Sequence, residues 1–372
     1  MCSVLTSRAV CRSGFVIAGL AASAFIAGCQ VTPPLEESLH GRFSPPSGQT
    51  LLIIGQDLGS VADYSVNIPV VPGGITTYTD ISEGDHSALL YGLEETVDYG
   101  AGNMSGRVSA ESFPNSALAI GLHIVDQTGT NLLHMIDGTH DPAIDQLGDF
   151  ITSIDRPVYL RIGYEFDGPW NHHEPEAYVE AFRYIVDRLR GSGVDNFASV
   201  WQSATSGAGT YRDLPFDTWY PGDEYVDWMG TSYFVFDPVV YDAFLEFARS
   251  HSKPVMIAEA APQGFDLADL TYSGASDGLS FEPRTSGDVW NEWYAPFFSF
   301  IHENSDVIRA VAYINCDWNE QDMWRPGGTN GYWGDTRVQA NDDIKARWLA
   351  EIGDPLWLHG SLDLFQKLGY GD

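Results

Sequence analysis

Two short stretches of sequence decide the fold of this chain: VYLRIGYE at residues 158–165 and PVMIAE at residues 254–259. Each begins as an apolar run of strand length and ends in a glutamate, at the point where the sequence turns polar. Runs of this kind alternate with longer helical patterns from residue 50 onward. This alternation is typical of parallel strands joined by crossover helices, so we predict an α/β fold, a single-domain (β/α)8 TIM barrel.

The other elements are predicted from the same periodicities. Strands are predicted at residues 51–54, 117–124, 198–202, 226–231 and 310–315. One further strand is needed between the first two, and the sequence leaves it open between residues 75–79 and residues 88–91. Helical periodicity is best at residues 176–189 and weaker at residues 143–154, 241–250 and 291–303. Eight strands with eight crossovers predict a closed barrel.

The first residues predict export. Residues 1–28 carry two arginines, an apolar run and small residues before Cys29, a pattern that resembles a bacterial lipoprotein signal. The apolar run is shorter than the roughly 20 residues that a permanent membrane-spanning helix needs. We therefore predict a signal peptide at residues 1–28, a lipid on Cys29, a flexible tether at residues 29–49 and the barrel domain at residues 50–372. The predicted location is the bacterial cell envelope, with ordinary secretion as the alternative.

The amino-acid composition limits the kinds of partner and cofactor that we expect this protein to bind. The chain has 51 acidic against 19 basic residues and a formal net charge of −32. Such a surface repels nucleic acid and anionic lipid, so we expect a monomer without a nucleic-acid partner, in contact with a membrane only through its lipid. Of four cysteines, Cys316 alone belongs to the predicted barrel domain, and we predict that it is a core residue. His172 and His173 lack the spaced carboxylates or cysteines of a ligand set, so no metal or cofactor is expected.

The two glutamates that end the decisive stretches are the candidate catalytic residues. Glu165 and Glu259 are 94 residues apart, which equals three barrel repeats of about 31 residues and places them on the fourth and seventh strands. The carboxyl ends of barrel strands line the active face. Hydrolysis of a glycosidic bond needs one protonated carboxylic acid and one carboxylate at the anomeric carbon. We predict such a pair, at the short separation that retains the configuration of the sugar.

The motifs around these glutamates resemble clan A of the glycoside hydrolases and, in their details, family 26. The matching features are RIGYEFDG at residues 161–168 followed by Trp170, YPGDEYVDWMG at residues 220–230, KPVMIAE at residues 253–259, and Trp318. The resemblance implies that Glu165 is the acid/base, that Glu259 is the nucleophile and that Tyr233 hydrogen-bonds the nucleophile.

One residue departs from the family pattern. Family 26 typically has His before its acid/base glutamate, whereas this chain has Tyr164. That residue touches the sugar next to the scissile bond, so the family's mannan specificity is not carried over. We predict a retaining hydrolase of a plant or algal polysaccharide of mannan, β-1,3-xylan, β-glucan or galactan type. The alternative is a surface lipoprotein that binds glycans without cleaving them.

Side chains near the predicted strand ends are the candidate substrate contacts. Pyranose rings pack on aromatic faces, so loop tryptophans are candidate platforms: Trp170, Trp201 and Trp318, then Trp324 and Trp333. Trp201 and Trp318 are preferred because each ends a predicted strand. Polar candidates are Gln56, Asp57, His123, Asp126, Asn171, Gln202, Asn315 and Asp317. Tyr164 is a candidate as the neighbour of the acid/base, and Arg161 either fixes a catalytic carboxylate or closes the barrel interior in a buried ion pair.

Overall fold

The computed structural model describes residues 39–81, 90–125, 129–205, 214–274 and 278–371. Within these ranges, eight parallel strands pair in chain order and the last pairs with the first, which closes a barrel. The strands are β1 Thr50–Gly55, β2 Gly74–Asp80, β3 Ala117–His123, β4 Val158–Ile162, β5 Phe197–Ser203, β6 Trp228–Tyr233, β7 Val255–Ala260 and β8 Ile308–Ile314. The predicted (β/α)8 fold is confirmed, and the second strand lies at the first of its two predicted positions.

Helices surround the barrel. They are α1 Leu58–Asn67, α2 Gly106–Ser112, α3 Thr130–Ile136, α4 Asp141–Ile154, α5 Pro175–Gly191, α6 Pro238–Ser250, α7 Ser286–Val289, α8 Ala295–Glu303, α9 Asp342–Ile352 and α10 Leu364–Lys367. A π-helical turn, Trp290–Tyr294, joins α7 to α8, and 3-10 turns lie at Phe216–Thr218, Trp318–Glu320 and Val338–Ala340. Short strands outside the barrel are Val97–Asp98, Asn103–Met104, Phe265–Asp266, Thr271–Tyr272 and Glu282–Pro283, while Trp357–Leu358 extends the sheet beside β1.

Helix α5 shows how the sequence dictates an element. Pro175 occupies the first turn, where its missing N–H costs nothing. Apolar residues then recur at spacings of three and four, from Tyr178 to Leu189, and all of them are buried. Arg188 and Arg190 lie in the last turn, where their positive charges interact favourably with the negative end of the helix dipole. The helix predicted at residues 176–189 is confirmed, and the three weaker helical predictions correspond to α4, α6 and α8.

The barrel strands contribute to two layers of core, because successive strand residues point to opposite faces. The inner layer, inside the barrel, contains small residues such as Ala119, Ala258 and Ala312. The outer layer packs the strands on the helices and contains larger residues, among them Trp201 and Tyr233. The layer that a strand residue joins therefore decides whether its side chain can reach the mouth of the barrel.

The segment before β1 is packed against the barrel, so the predicted tether extends too far. Phe43 is buried in the inner layer, and its carbonyl oxygen accepts a 2.7 Å hydrogen bond from Tyr159 Oη. The carbonyl oxygen of Arg42 accepts another, also 2.7 Å long, from Trp228 Nε1. These partners lie at the amino ends of β4 and β6. A flexible tether over residues 39–49 is therefore wrong: an apolar side chain and backbone carbonyls fix that part of the chain to one face of the barrel.

The predicted signal peptide and Cys29 lie outside the described residues. Among the residues that are described, no helix combines the length and the apolar character that crossing a bilayer demands. Cys316 is buried, as predicted for a core residue.

Candidate active site

Glu165 lies in the turn after β4, three residues beyond the end of that strand. Its φ of 55° falls in the left-handed region that residues other than glycine rarely adopt. Asn171 holds this turn, since its Nδ2 donates to the carbonyl oxygens of Tyr164 at 2.9 Å and of Glu165 at 2.7 Å. The carboxyl group accepts hydrogen bonds at both oxygens, from Ser232 Oγ at 2.7 Å and from Trp170 Nε1 at 3.0 Å. Asn171 therefore fixes the backbone of the turn, and Ser232 and Trp170 fix the carboxyl group.

Glu259 lies within β7 and faces the barrel mouth because this strand contains a β-bulge. Strict alternation would send Ala258 inward and Glu259 outward, toward the helices. Between Ile257 and Glu259, however, β7 advances two residues while β6 advances one, from Thr231 to Ser232. Bulges of this kind re-aim side chains and are common beside active sites. Ala258 thus packs in the inner layer, and the next side chain also turns into the barrel.

Glu259 is 7% exposed, and its carboxyl group contacts three donors of the described chain. Its Oε1 accepts a hydrogen bond from Tyr78 Oη at 2.5 Å and pairs with Arg161 Nη1 at 3.1 Å. Its Oε2 accepts from Gln202 Nε2 at 3.2 Å. A buried charge requires a paired charge and hydrogen bonds, and this carboxylate has both. The arrangement suits a fixed anion that can attack an electrophilic carbon.

Gln202 and Ser232 connect the two carboxyl groups. Gln202 Nε2 donates to Ser232 Oγ at 3.1 Å as well as to Glu259, and Ser232 Oγ donates to Glu165. Gln202 Oε1 in turn accepts from Arg161 Nη1 at 3.1 Å. One amide and one hydroxyl group therefore join, in a single hydrogen-bonded chain, two glutamates that are 94 residues apart in sequence. Both carboxyl groups lie at the same end of the barrel, where the spacing of the two motifs predicted them.

The protein environment raises the pKa of Glu165 to about 8, first because burial penalises the charged form and second because the Glu259 carboxylate lies nearby. The hydrogen bonds from Ser232 and Trp170 act in the opposite direction and favour the charged form. A carboxyl group with this pKa keeps its proton at neutral pH and can give it to a leaving oxygen. The site thus holds a proton donor and an anion side by side, which is the pair that cleavage of a glycosidic bond requires.

Trp170 is the predicted platform that the structure leaves open to solvent beside a glutamate. The residue is 48% exposed, and its Nε1 contacts Glu165. Trp201, in contrast, is completely buried in the outer layer and stacks on Phe166 with 4.5 Å between ring centroids. Since Gln202 points into the barrel, alternation sends Trp201 toward the helices. The prediction of Trp201 as a sugar platform is therefore wrong.

Trp318 lies beneath two other tryptophans and is 2% exposed. Its Nε1 donates to Thr336 Oγ1 at 3.0 Å. Trp324 and Trp333 pack against it, with ring centroids 4.9 Å and 4.8 Å away, and both remain half-buried. The prediction that Trp318 itself is a platform is therefore wrong, because its faces are covered by the rings that it supports.

The polar candidates have different environments. His123 is half-buried at the end of β3, and its Nδ1 lies 2.5 Å from Asp80 Oδ2. Gln56 is 6% exposed and donates a long bond of 3.4 Å to the Ala101 carbonyl, so its contact with a sugar stays a prediction. Asn171 is buried and its amide nitrogen is engaged by the backbone of the Glu165 turn. Asn171 therefore holds that turn, and its contact with substrate stays a prediction.

Three other polar candidates support the backbone. Asp57 caps α1, since its Oδ1 accepts from Gly59 N at 2.9 Å. Asn315 is completely buried and accepts from Val338 N at 2.9 Å. Asp317 pairs with Arg337 at 2.9 Å. Asp126 lies outside the described residues.

Arg161 fixes the carboxylate of Glu259 rather than that of the nearer residue in sequence, Glu165. The sequence left open whether Arg161 fixes a catalytic carboxylate or forms a buried ion pair inside the barrel. It does both, because its ion pair with Glu259 is buried and also holds a candidate catalytic group. Direct contact with substrate is wrong, since Arg161 is completely buried. Its guanidinium carbon lies 4.9 Å from the ring centroid of Tyr78 and 5.1 Å from that of Tyr164. Tyr164 is half-buried and keeps some exposed surface beside the glutamates.

Tyr233 does not hydrogen-bond the nucleophile candidate. Its ring packs in the outer layer against Phe297 and Tyr241, with centroids 4.9 Å and 5.3 Å away. Its hydroxyl group has no hydrogen-bond partner among the described residues. Ser232 points to the mouth, so the next residue of the strand points to the helices. The predicted bond from Tyr233 is therefore wrong, and Tyr78 on β2 makes it instead.

Sequence reasoning missed two residues of the site, Tyr78 and Ser232. Ser232 could have been found from alternation, because Trp228 lies inside the strand predicted at residues 226–231 and Ser232 lies four residues later on the same face. Tyr78 could not have been found in this way, because the position of the second strand was left open. Without a fixed strand, the face that a residue occupies cannot be assigned.

The proton affinity of Glu165 predicts how activity depends on pH. Loss of the Glu165 proton should reduce kcat/KM above about pH 8, where its pKa lies. In Ser232→Ala, the bond that favours the charged form is missing, so the pKa of Glu165 should rise and the alkaline limb should move to higher pH. Ser65→Ala, which removes a hydroxyl group bonded to a helix carbonyl in α1, is the matched control. An alkaline limb that stays in place or moves down in Ser232→Ala would contradict this assignment.

Comparison with known proteins gives four findings. The sequence profile of glycosyl hydrolase family 26 matches residues 122–302, which include both glutamates. The chain is 39% identical to β-1,3-xylanase TXYA of a Vibrio species, over 90% of this chain and 71% of that protein. It is 38% identical to a β-1,3-xylanase of an Alcaligenes species, over 90% of this chain and 69% of that protein. Among solved structures, a GH26 β-mannanase from Bacteroides ovatus has a similar fold, with a TM-score of 0.55 at 17% identity over 85% of this chain and 93% of that one.

Proposed function

Because the chain belongs to glycosyl hydrolase family 26 and is a glycoside hydrolase, we propose that it hydrolyses β-1,3-linked xylan by a retaining double displacement. Glu259 is the nucleophile and Glu165 is the acid/base. Two relatives that are 39% and 38% identical over 90% of this chain are named β-1,3-xylanases, which supports this choice of polysaccharide. The observation that carries the mechanism is the hydrogen-bonded link between a protonated Glu165 and an ion-paired Glu259.

In the first step, Glu259 attacks the anomeric carbon as the bond to the leaving sugar oxygen breaks. Glu165 gives its proton to that oxygen, so the leaving sugar departs as a neutral alcohol. Trp170 Nε1 is only a donor, and it contacts Oε2 of Glu165 on the solvent-exposed side of the turn. Ser232 holds Oε1 from the barrel side. The carboxyl group is thus held at both oxygens while its proton is transferred.

In the second step, water replaces the carboxylate at the anomeric carbon. Formation of the ester neutralises Glu259, which removes the charge that helped to raise the pKa of Glu165. Glu165, now ionised, can take a proton from the attacking water. The bond from the anomeric carbon to Glu259 breaks, the free carboxylate returns, and Glu165 has regained its proton. The neighbouring charge therefore adjusts the proton affinity of Glu165 to each of its two roles.

Three side chains with exposed surface are the proposed sugar contacts. Trp170 offers an aromatic face beside the acid/base, and a pyranose can pack its C–H face on such a ring. His123 and Tyr164 are half-buried near each other, with 6.3 Å between ring centroids. Asp80 bonds His123 Nδ1 and thereby orients the imidazole, so its other nitrogen can bind a sugar hydroxyl group.

Release of reducing ends tests the proposed function. The full chain is assayed on β-1,3-xylan, β-1,4-xylan, β-mannan, mixed-linkage β-glucan and red-algal galactan, with Glu259→Ala as the blank. We expect release from β-1,3-xylan well above that from the other polymers. Release from another polymer alone would refute the choice of substrate. Sedimentation with a polysaccharide without release of reducing ends would favour the glycan-binding alternative.

We also propose that Cys29 carries a lipid that anchors the enzyme in the bacterial envelope. The support is the small-residue sequence before this cysteine. The chain enters the described barrel at the amino ends of its strands, opposite to the glutamates. We expect an alkyne-tagged fatty acid to label the wild type but not Cys29→Ser, and the variant to leave the membrane fraction. Equal labelling of both proteins, or of neither, would exclude the lipid.

A further inference from the structure

We propose that Tyr78 is the positioning residue of the nucleophile, and that this chain holds Glu259 from the second barrel strand instead of from the sixth. The inference rests on the proposed function, in which Glu259 attacks the sugar. It goes beyond that function because it assigns a role to a tyrosine outside the recognised motifs. It also explains why Tyr233 can be part of the outer core.

Tyr78 can reach Glu259 because Gly121, on the adjacent strand, has no side chain. Tyr78 on β2 is opposite Gly121 on β3, and Gly121 is opposite Arg161 on β4. A Cβ atom at Gly121 would lie 2.5 Å from Cδ1 of Tyr78 and 2.8 Å from Nη2 of Arg161. The glycine therefore lets the tyrosine ring cross β3 and lie over the guanidinium, 4.9 Å from its carbon. From there the phenol reaches the carboxylate on β7.

The Tyr78 hydroxyl group remains protonated and so remains a hydrogen-bond donor to one oxygen of Glu259. Burial raises the pKa of Tyr78 well above its usual value, so the hydroxyl group keeps its proton across the working range of pH. Its oxygen lies 2.5 Å from Oε1, which also pairs with Arg161 at 3.1 Å. Oε2 accepts only the 3.2 Å bond from Gln202 among the described residues. Oε2 is therefore the freer oxygen, and we assign the attack on the anomeric carbon to it.

This geometry predicts which half-reaction depends on Tyr78. When Oε2 bonds to the anomeric carbon, Oε1 becomes the carbonyl oxygen of the ester and loses most of its negative charge. When water displaces the carboxylate, the bond between Oε2 and the anomeric carbon breaks and the charge returns, where Tyr78 and Arg161 stabilise it. Removal of the phenol should therefore slow departure of the carboxylate more than its attack, so the glycosyl-enzyme should accumulate.

The test compares Tyr78→Phe with Tyr233→Phe in the full chain, on dinitrophenyl β-xylobioside, whose good leaving group makes the second step limiting. In Tyr78→Phe we expect kcat to fall about 10- to 100-fold, the cost of one hydrogen bond to a charged group. KM should fall with it, and a pre-steady-state burst of dinitrophenol as large as that of the wild type should be followed by a steady state that is slower by the same factor. Tyr233→Phe should keep the wild-type kcat and burst. Equal thermal midpoints would show that both variants are folded.

Two results would overturn the inference: a wild-type kcat in Tyr78→Phe, or an equal loss of kcat in Tyr233→Phe. Gly121→Ala gives an independent check, because it keeps the phenol but moves its ring. We expect the same slow steady state after the burst, and a wild-type kcat in a folded Gly121→Ala would also count against the role. Failure of the proposed function is distinguishable, since an active Glu259→Ala would refute the nucleophile, whereas an inactive one with a normal Tyr78→Phe refutes only the role of Tyr78.

Discussion

Replacement of Glu259 by alanine should lower kcat on β-1,3-xylan by about 10⁴-fold or more, as expected when the nucleophile of a covalent mechanism is removed. The variant keeps Glu165, which can still protonate a leaving oxygen, but it lacks the carboxylate that attacks the sugar. Azide can enter the space that the side chain leaves and attack the anomeric carbon directly. With dinitrophenyl β-xylobioside and azide, we expect recovery of part of the rate and an α-glycosyl azide as product.

The control is Glu303→Ala, which removes an exposed carboxylate at the end of α8. It should keep the wild-type kcat. Because Glu259 pairs with the buried Arg161, its loss also costs folding stability, so circular dichroism and the thermal midpoint must show that the variant is folded at the assay temperature. A folded Glu259→Ala that retains wild-type turnover would remove the nucleophile from the mechanism.

Replacement of Glu165 by alanine should have an effect that depends on the leaving group. On β-1,3-xylan, whose leaving sugar needs a proton, we expect kcat to fall by about 10²- to 10⁴-fold, the range of general acid–base catalysis. On dinitrophenyl β-xylobioside, formation of the glycosyl-enzyme should proceed almost normally, because that leaving group needs no proton. Its hydrolysis should be slow, since no base activates the water. A burst followed by a slow steady state should therefore appear.

Azide distinguishes Glu165→Ala from Glu259→Ala, because the two variants should give opposite anomers of the glycosyl azide. In Glu165→Ala, azide should attack the glycosyl-enzyme and yield a β-glycosyl azide, the opposite anomer to that from Glu259→Ala. The alkaline limb near pH 8 should also disappear from kcat/KM, because the group responsible for it is absent. Equal losses of rate on the polymer and on the activated glycoside would show that Glu165 is not the proton donor.

The barrel and the positions of the two glutamates could be predicted because they depend on features that sequence records directly. Strand and helix periodicities are local, and repeats of nearly constant length place Glu165 and Glu259 on the fourth and seventh strands. The direction of Glu259 could not be derived from that pattern. Strict alternation would turn it toward the helices, and a bulge that pairs Ile257 with Thr231 but Glu259 with Ser232 turns it inward.

Two of the aromatic predictions failed for a simpler reason. Trp201 was chosen because it ends a predicted strand and Tyr233 because of the resemblance to clan A, but each is adjacent to a residue that faces the mouth, Gln202 and Ser232 respectively. In a regular strand, adjacent residues point to opposite faces, so only one member of each pair can face the mouth. Both aromatics accordingly pack against helices in the outer layer. Position along a strand must therefore be combined with the face before a residue is assigned to a site.

Two other differences depended on distant parts of the chain. Residues 39–49 contain paired prolines and polar residues, which are typical of a linker, yet Phe43 packs in the inner layer beside strands more than a hundred residues away in sequence. The bond between Tyr78 and Glu259 spans 181 residues and requires Gly121 on a third strand. Local patterns carry no record of such partners, so the structure was needed to find them.

Identification of the residue that becomes covalently bound to sugar tests the central claim most directly. The full chain is inactivated with a 2-deoxy-2-fluoro β-xylobiosyl fluoride, digested with a protease and analysed by tandem mass spectrometry. We expect one labelled peptide, which contains residues 254–259, with the mass of the fluorinated sugar on Glu259. A label on any other residue, or turnover that continues with no covalent species, would contradict a double displacement between Glu165 and Glu259.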